Sequence, residues 1–321
     1  MEIIGNQRQL EHLENAARLG MLSHAYIFSG PSKVGKRTLA VEFARRQYCN
    51  KRGDTEGKCP NCRAILDYTH PDFFVIDPER SDRAEIGIEE IRDLRTKLIL
   101  TPYGSAATTI IINDAERLTH EAVSALLKIL EEPRPNTRFI LITADPGVIP
   151  DTIRSRAHTL SFLSVPHDAI ERYLIETYAC DTQDARVFAR CSFGRPGLAI
   201  DMARLGEKHP LVRYGKILNV MIGGGYEERL KQVERLVGES EYLFDFLDSF
   251  TIFIRDVMMV RLGCDDLAVC RERYAHLDAI TSRYTRIKLL KLLQYIERVR
   301  RAFLTTNVNS RLALEALILE F

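Results

Sequence analysis

The sequence lacks a strong net charge, a long apolar run and a fully paired set of cysteines. Its 45 lysine and arginine residues nearly balance 44 aspartate and glutamate residues, which leaves a net charge of +1. A chain with so little positive charge has no general field for holding DNA phosphates. We therefore expect any action on DNA to proceed mostly through protein partners.

The sequence also shows no pattern typical of a targeting signal or a membrane span. Residues 1–20 carry charges throughout and contain no apolar core of the kind found in a signal peptide. No apolar run approaches the roughly 18 to 20 residues that a membrane-spanning helix needs. Seven cysteines are an odd number, which favours reduced thiols or a metal site over a disulfide framework. These absences predict a cytoplasmic protein.

Apolar runs alternate with helical patterns in the first 160 residues, as in an α/β protein with a parallel sheet. Strands are predicted at residues 25–28, 73–76, 109–112 and 138–143. A helix is predicted at 36–48, and Thr119 is predicted to cap another that ends before Pro133. Beyond about residue 165 only helical patterns remain. The predicted division is an α/β domain at 1–162, a small helical domain at 163–205 and an all-helical domain at 206–321.

A glycine-rich segment between the first predicted strand and helix has the pattern of a phosphate-binding loop. Gly30, Gly35 and Lys36 fit G-x4-G-K, in which backbone N–H groups surround a phosphate and the lysine reaches the β- and γ-phosphates. The next residue should be Ser or Thr, whose hydroxyl binds Mg²⁺, but it is Arg37. Thr38 comes one position late, and a one-residue shift turns a helical side chain by about 100°. Thr38 therefore does not replace the missing ligand.

The strand that should supply the metal-binding carboxylate also lacks the residues that bind Mg²⁺ in an ATP-hydrolysing site. Three isoleucines at 110–112 are followed by Asn113 and Asp114, where an active site needs an Asp for Mg²⁺ and a Glu to orient water. Asn113 lacks the charge that holds Mg²⁺ strongly, and Asp114 is one methylene shorter than Glu. Thr143, after the fourth predicted strand, is placed as a polar sensor of the γ-phosphate. We predict loss of hydrolysis, while binding of ATP or ADP remains open.

Three cysteines form a candidate metal site in an insertion at residues 49–62. Cys59 and Cys62 have the C-x2-C spacing of zinc sites, and Cys49 precedes them. Thiolates suit tetrahedral Zn²⁺, and nothing in the pattern indicates an open catalytic position, so the predicted zinc is structural. The competing interpretation is a site that no longer binds metal. The fourth ligand stays open among Glu56, Asp67 and His70.

Several strings resemble the clamp-loader AAA+ family, which includes the bacterial gamma, tau and delta prime subunits. Residues 24–28 with the glycine loop are similar to that family, and Ala-Leu-Leu-Lys-Ile-Leu-Glu-Glu-Pro at 125–133 is a highly specific match. Residues 153–156 resemble its Ser-Arg-Cys signature, with Ala157 where cysteine is usual. Residues 307–315 are similar to its last collar helix. The resemblance spans Gly5 to Phe321.

This resemblance implies an AAA+ domain at 1–162, a lid at 163–205 and an oligomerising collar at 206–321. Arg37, Asn113 and Gly197 favour the delta prime type over the ATP-hydrolysing motor type, since Gly197 aligns with the arginine by which a motor senses γ-phosphate. Arg156 is implied to be an arginine finger that enters a neighbour's ATP site. The competing interpretation of Arg156 is a surface or ion-pair arginine.

The resemblance implies the work of a stator, a subunit that supports assembly and assists ATP-driven loading of a sliding clamp onto primed DNA. The implied partners are gamma/tau-type motor subunits, a delta-type clamp opener, the sliding clamp and, through the complex, primed DNA, with no membrane. No intrinsic ATPase or polymerase activity is expected, and any polymerase label belongs to the DNA polymerase III assembly. The alternatives are a gamma/tau-type motor, or an AAA+-related repair or recombination protein with a borrowed collar.

Overall fold

The structure is a computed structural model that carries side chains. It describes residues 3–49, 59–78, 85–99, 107–209, 213–214, 217–218, 224–237, 243–268, 281–305 and 309–320. The chain divides into two compact units, one formed by Met1–Ala169 with Gly194–Gly197 and the other by Ile170–Phe193 with Leu198–Phe321. The finer three-domain division stays a prediction.

The first unit contains a five-stranded sheet in which every pair of neighbouring strands is parallel. The strands are β1 (Ala25–Ser29), β2 (Phe73–Ile76), β3 (Thr108–Ile112), β4 (Thr137–Thr143) and β5 (His158–Ser161). Their order across the sheet is β2-β3-β4-β1-β5. The first four confirm the predicted strands to within one residue at either end. The fifth was missed because it is an edge strand in which Leu160 alone is buried.

Nine helices begin in the part of the chain before residue 200 that the structure describes. They are α1 (Gln7–Arg18), α2 (Lys36–Tyr48), α3 (Pro60–Leu66), α4 (Ile88–Ile99), α5 (His120–Glu131), α6 (Asp151–Arg154), α7 (His167–Tyr178), α8 (Thr182–Cys191) and α9 (Pro196–Leu205). The predicted cap is confirmed, because the Thr119 side chain accepts a hydrogen bond from the Ala122 N–H at 3.2 Å. Helices α4 and α5 pack their apolar faces on β1, β3 and β4.

Burial of the central strands explains why apolar runs predicted them correctly. Every residue of β1 and of β3 is buried, as expected for parallel strands that helices cover on both faces. The carboxyl ends of β1, β2, β3 and β4 lie along one edge of the sheet, because the strands are parallel. The glycine loop, Asp77, Asn113 and Thr143 are therefore brought to the same edge.

The second unit is helical throughout its described residues, as predicted. Beyond residue 205 its longer helices are α10 (Tyr226–Val237), α11 (Leu243–Arg261), α12 (Arg286–Thr305) and α13 (Ser310–Leu319). Helix α11 packs on α12, and α13 packs on both α12 and α10. Arg311 of α13 pairs with Glu234 of α10 at 3.1 Å. No helix among the described residues is long and apolar enough to cross a membrane.

One cysteine departs from the expectation of reduced thiols. Cys191, at the end of α8, is buried and disulfide-bonded. Of the other cysteines that the structure describes, none forms a disulfide: Cys49, Cys59, Cys62, Cys180 and Cys264. The expectation is therefore wrong at Cys191. An odd number of cysteines excludes complete pairing, but it does not show which thiols the fold brings together.

Candidate functional site

The glycine loop joins β1 to α2 in the conformation that its sequence requires. Gly30 has φ 143° and Gly35, which caps α2, has φ 102°, both in the range that favours glycine. A Cβ on Gly30 would lie 2.3 Å from the Phe162 carbonyl oxygen, so a side chain has no room there. The loop therefore leads into the N-terminus of a 13-residue helix, where N–H groups and the helix dipole favour an anion.

Lys36 is folded back onto this loop. Its ammonium group donates to the Pro31 carbonyl oxygen at 2.9 Å and to the Gly30 carbonyl oxygen. The residue is only 6% exposed. Burial lowers the pKa of Lys36, while the nearby Glu116 and Asp114 carboxylates act in the opposite direction. The lysine thus lies within the loop, at the position from which a phosphate-binding lysine acts.

Arg37 reaches across to the carboxyl end of β2, where Asp77 follows the strand. The Arg37 Nη1 lies 2.6 Å from the Asp77 Oδ2, and the Asp77 side chain is 2% exposed. Arg37 Nη2 donates to the Tyr68 hydroxyl at 3.3 Å, and its guanidinium carbon lies 5.5 Å from the centre of the Tyr68 ring. Asn113, at the end of β3, donates its amide N–H to Asp77 Oδ1 at 3.4 Å. Arg37 and Asn113 therefore share one buried carboxylate.

These side chains do not suit Mg²⁺. The ion requires oxygen ligands in near-octahedral geometry, but the position after the loop lysine holds a guanidinium and the position after β3 holds an amide. Asp114, the next residue, has a left-handed backbone with φ 48°, and its carboxylate lies 4.0 Å from Arg117 Nε. Thr38 lies half-buried on α2. The described side chains thus fit a phosphate at the loop and not a catalytic metal beside it.

Thr143, predicted as the sensor, is buried at the end of β4. Its hydroxyl donates to the Asp145 carbonyl oxygen at 3.0 Å and accepts from the Asp145 N–H at 3.2 Å. Gly197, at the start of α9, donates its N–H to the Lys33 carbonyl oxygen at 2.9 Å. A Cβ on Gly197 would lie 3.0 Å from that oxygen. At Gly197 the chain therefore contacts the glycine loop through its backbone.

Arg156 lies on the surface between α6 and β5. Its Nη2 pairs with Glu131 Oε1, at the end of α5, at 2.9 Å, and its Nη1 donates to the Thr152 carbonyl oxygen at 2.8 Å. The Arg156 side chain is 37% exposed. An exposed ion pair contributes only about 0–1 kcal/mol to stability. The pair with Glu131 is therefore weak, and the guanidinium can exchange Glu131 for another anion.

The three predicted metal ligands come together. The sulfur atoms of Cys49, Cys59 and Cys62 lie within 4.8 Å of one another. Cys59 caps α3, and its sulfur accepts from the Cys62 N–H at 3.3 Å. Among the described residues neither Asp67 nor His70 joins the cluster, and Glu56 lies outside them. Three convergent thiols fit Zn²⁺ and leave one coordination position to another ligand.

A buried ion pair, Arg45 with Glu42, lies next to the three thiols. Burial raises the pKa of Cys62 to about 12, and hydrogen bonding with Cys59 and Cys49 acts in the same direction. The buried Arg45 donates from Nη1 to Cys62 Sγ at 3.7 Å and binds the Glu42 carboxylate. A fixed cation beside thiolates lowers the cost of their negative charge, and a zinc ion would supply the larger part of that compensation.

Sequence reasoning missed Asp77, Tyr68, Glu131 and Arg45. Asp77 could have been predicted, because it is the polar residue directly after a predicted buried strand. The carboxyl ends of parallel strands lie at one edge of the sheet, next to the glycine loop. Tyr68 and Glu131 could not have been predicted, because their roles depend on contacts with residues 31 and 25 positions away.

Comparison with known proteins identifies the family. Residues 5–166, half of the chain, match the family described as "DNA polymerase III, delta subunit". The chain belongs to this family. Residues 232–321 also match a second family description, "DNA polymerase III, delta subunit, C terminal". The predicted AAA+ class, a parallel α/β domain followed by helices, is confirmed.

Two delta prime relatives span nearly all of the chain. The DNA polymerase III subunit delta' of Bacillus subtilis is 28% identical over 97% of this chain and 94% of its own length. The delta' subunit of Haemophilus influenzae is 27% identical over 92% of this chain and 89% of its own length. The tau subunit of Bacillus subtilis is 34% identical, but over 53% of this chain and 30% of tau. The predicted resemblance to the delta prime type is confirmed.

Proposed function

We propose that this chain is the stator of a DNA polymerase III clamp loader, a delta prime-type subunit that assists ATP-driven loading of a sliding clamp onto primed DNA. The observation that carries the proposal is the Arg37–Asp77 pair, in which a guanidinium lies 2.6 Å from the buried carboxylate beside the glycine loop. The described residues beside the glycine loop do not suit Mg²⁺, so we expect this chain not to hydrolyse ATP itself. The delta prime relatives, which span nearly the whole chain, support the same assignment.

The catalytic contribution of this subunit is Arg156, which acts on the ATP of a neighbour. A guanidinium directed at the γ-phosphate stabilises the charge that develops during phosphoryl transfer, which raises rates by about 10³–10⁵ in other systems. Arg156 has the exposure that such a role needs, and its partner Glu131 is itself on the surface. The described contacts hold the side chain at the protein surface, against the Thr152 carbonyl oxygen of α6 and the Glu131 carboxylate of α5.

The proposed partners follow from this assignment. They are gamma/tau-type motor subunits, a delta-type clamp opener and the sliding clamp, with primed DNA reached through the complex in the cytoplasm. The helices from residue 206 onward would serve as the collar through which the subunits assemble, those at 163–205 as the lid, and the zinc cluster as a structural brace. A net charge of +1 agrees with contact through proteins.

A motor of the gamma/tau type is the alternative, supported by the 34% identity with tau over half of the chain. Steady-state ATP turnover by the purified chain decides between the two, with Lys36→Ala as the control for contaminating ATPase. The stator assignment predicts no turnover above that control. Lysine-dependent turnover would make this chain a motor.

The arginine finger is tested in the assembled loader. Arg156→Ala should lower turnover at the neighbour's site by on the order of 10³ and leave assembly intact. Arg154→Ala is a matched control, because Arg154 lies two residues earlier, has a similarly exposed side chain and pairs with Asp151 instead of Glu131. Unchanged turnover in Arg156→Ala would remove the finger from the proposal.

A further inference from the structure

The carboxyl ends of β2 and β3 hold a cation that the chain itself supplies. Arg37 lies 2.6 Å from Asp77 Oδ2 through Nη1, and Asn113 donates to the other oxygen of the same carboxylate at 3.4 Å. Tyr68 receives an N–H of the guanidinium and packs its ring against it. One buried carboxylate, one amide and one tyrosine thus fix the position of the guanidinium.

Arg37 and its neighbour Asn113 stand at the two sequence positions that normally supply metal ligands beside a phosphate-binding loop. Arg37 replaces the hydroxyl residue after the loop lysine, and Asn113 replaces the carboxylate after β3. Asp77 is the buried carboxylate nearby, and its charge is compensated by Arg37. A divalent ion placed among these groups would meet the like charge of the guanidinium and would gain only neutral or already paired ligands.

The same arrangement provides the positive charge that a polyphosphate needs. The Lys36 ammonium donates to two neutral carbonyl groups, and the nearby Glu116 and Asp114 carboxylates favour its charged form. The Arg37 side chain is 33% exposed, and a guanidinium has five N–H donors, more than Asp77 and Tyr68 use. Both side chains begin at the first turn of α2, where the helix dipole adds positive potential.

We propose that the glycine loop of this chain binds a nucleoside polyphosphate without a divalent cation, and that Arg37 takes the place of Mg²⁺. This inference deepens the proposed function, since it rests on the loop being a nucleotide site that does not hydrolyse. Asp77 is a positioning residue, because it acts by holding Arg37. Nucleotide bound in this way would be a permanent structural ligand of the stator, independent of the ATP cycle of its neighbours.

Binding of ADP to the full-length chain, measured by titration calorimetry in excess EDTA and again in excess Mg²⁺, tests the proposal. The dissociation constants should agree within about 2-fold, because no metal-dependent contact exists. Arg37→Thr combined with Asp77→Asn removes the internal cation and avoids leaving a buried unpaired carboxylate. This variant should lose on the order of 10- to 100-fold in metal-free affinity. Arg37→Lys keeps the charge and should lose less.

Adding Asn113→Asp to the double variant restores a carboxylate and a hydroxyl at the metal positions. Its ADP affinity should rise on addition of Mg²⁺, which the unsubstituted chain does not show. Tighter binding with Mg²⁺ by about 10-fold or more in the unsubstituted chain overturns the proposal, because that would be worth about 1.4 kcal/mol of metal contact. Absence of ADP binding in both conditions overturns it too. The stator assignment is decided separately, by the ATP turnover and Arg156→Ala experiments.

Discussion

Helix α2 carries a buried ion pair whose removal should destabilise the first unit strongly. Arg45 and Glu42 are 3% and 1% exposed, and the guanidinium donates to both carboxylate oxygens, at 2.6 and 2.7 Å. Arg45→Met keeps the length of the side chain and removes its charge. Glu42 then keeps a hydrogen bond from Arg46 Nε at 2.8 Å, while two of its three described contacts are lost.

The expected cost follows from the charge that stays behind. Removing one partner of a buried ion pair costs about 3–5 kcal/mol, because the other charge is left without compensation in a medium of low polarity. Since Arg46 still binds Glu42, we expect the lower end, about 3 kcal/mol. At roughly 2–4 °C per kcal/mol for a domain of this size, the melting temperature should fall by about 6–12 °C.

Scanning calorimetry and urea unfolding of the full chain measure this change. A matched double variant, Glu42→Leu with Arg45→Met, removes both charges and should return to within about 1 kcal/mol of the unsubstituted protein, since well-packed apolar residues often replace a buried pair without loss. If Arg45→Met alone unfolds within about 0.5 kcal/mol of the unsubstituted protein, the reasoning about buried charge is wrong at this site.

Three other variants test the thiol cluster, the partner of Arg156 and the pH dependence of stability. Cys62→Ser should reduce the zinc content of chelator-free protein from about one ion per chain to near none, and little zinc in the unsubstituted protein would count against the metal. Glu131→Gln should change the unfolding free energy by less than about 1 kcal/mol without lowering loader turnover; lower turnover would show that Glu131 is needed. Although burial raises the pKa of Glu42, hydrogen bonds from Arg45 and Arg46 leave that pKa below its ordinary value. The carboxylate therefore stabilises the fold above about pH 4.3 and loses this effect at lower pH, so Glu42→Gln should approach the unsubstituted protein in acid unfolding series; a difference that stayed constant would contradict the assignment.

The central sheet could be predicted because each inner strand is buried on both faces and therefore consists of an apolar run. The edge strand β5 could not, since His158, Thr159 and Ser161 are exposed and its pairing with β1 is a long-range contact. The same limit applies to the disulfide at Cys191. Local patterns report burial and helical period, whereas pairing between distant segments depends on the assembled fold.

The candidate site shows this limit more sharply. The sequence revealed that Arg37 and Asn113 remove two magnesium ligands, because both positions belong to short motifs. It did not reveal that Asp77, 40 positions beyond Arg37, takes up the guanidinium. The sequence motif is the same whether the site has only lost a metal ligand or has also gained an internal cation. The two cases differ in the contacts at the carboxyl ends of β2 and β3.

This difference bears on why the glycine loop would persist beside side chains that do not suit Mg²⁺. Without Arg37, Asp77 would be buried with no described counter-charge, which is unfavourable for a carboxylate. Arg37 stabilises the carboxylate and leaves Lys36 beside two neutral carbonyls. At the first turn of α2 the Arg37 charge is thus balanced by Asp77, while the Lys36 ammonium, with the Glu116 and Asp114 carboxylates nearby, remains the group that a phosphate in the glycine loop would meet.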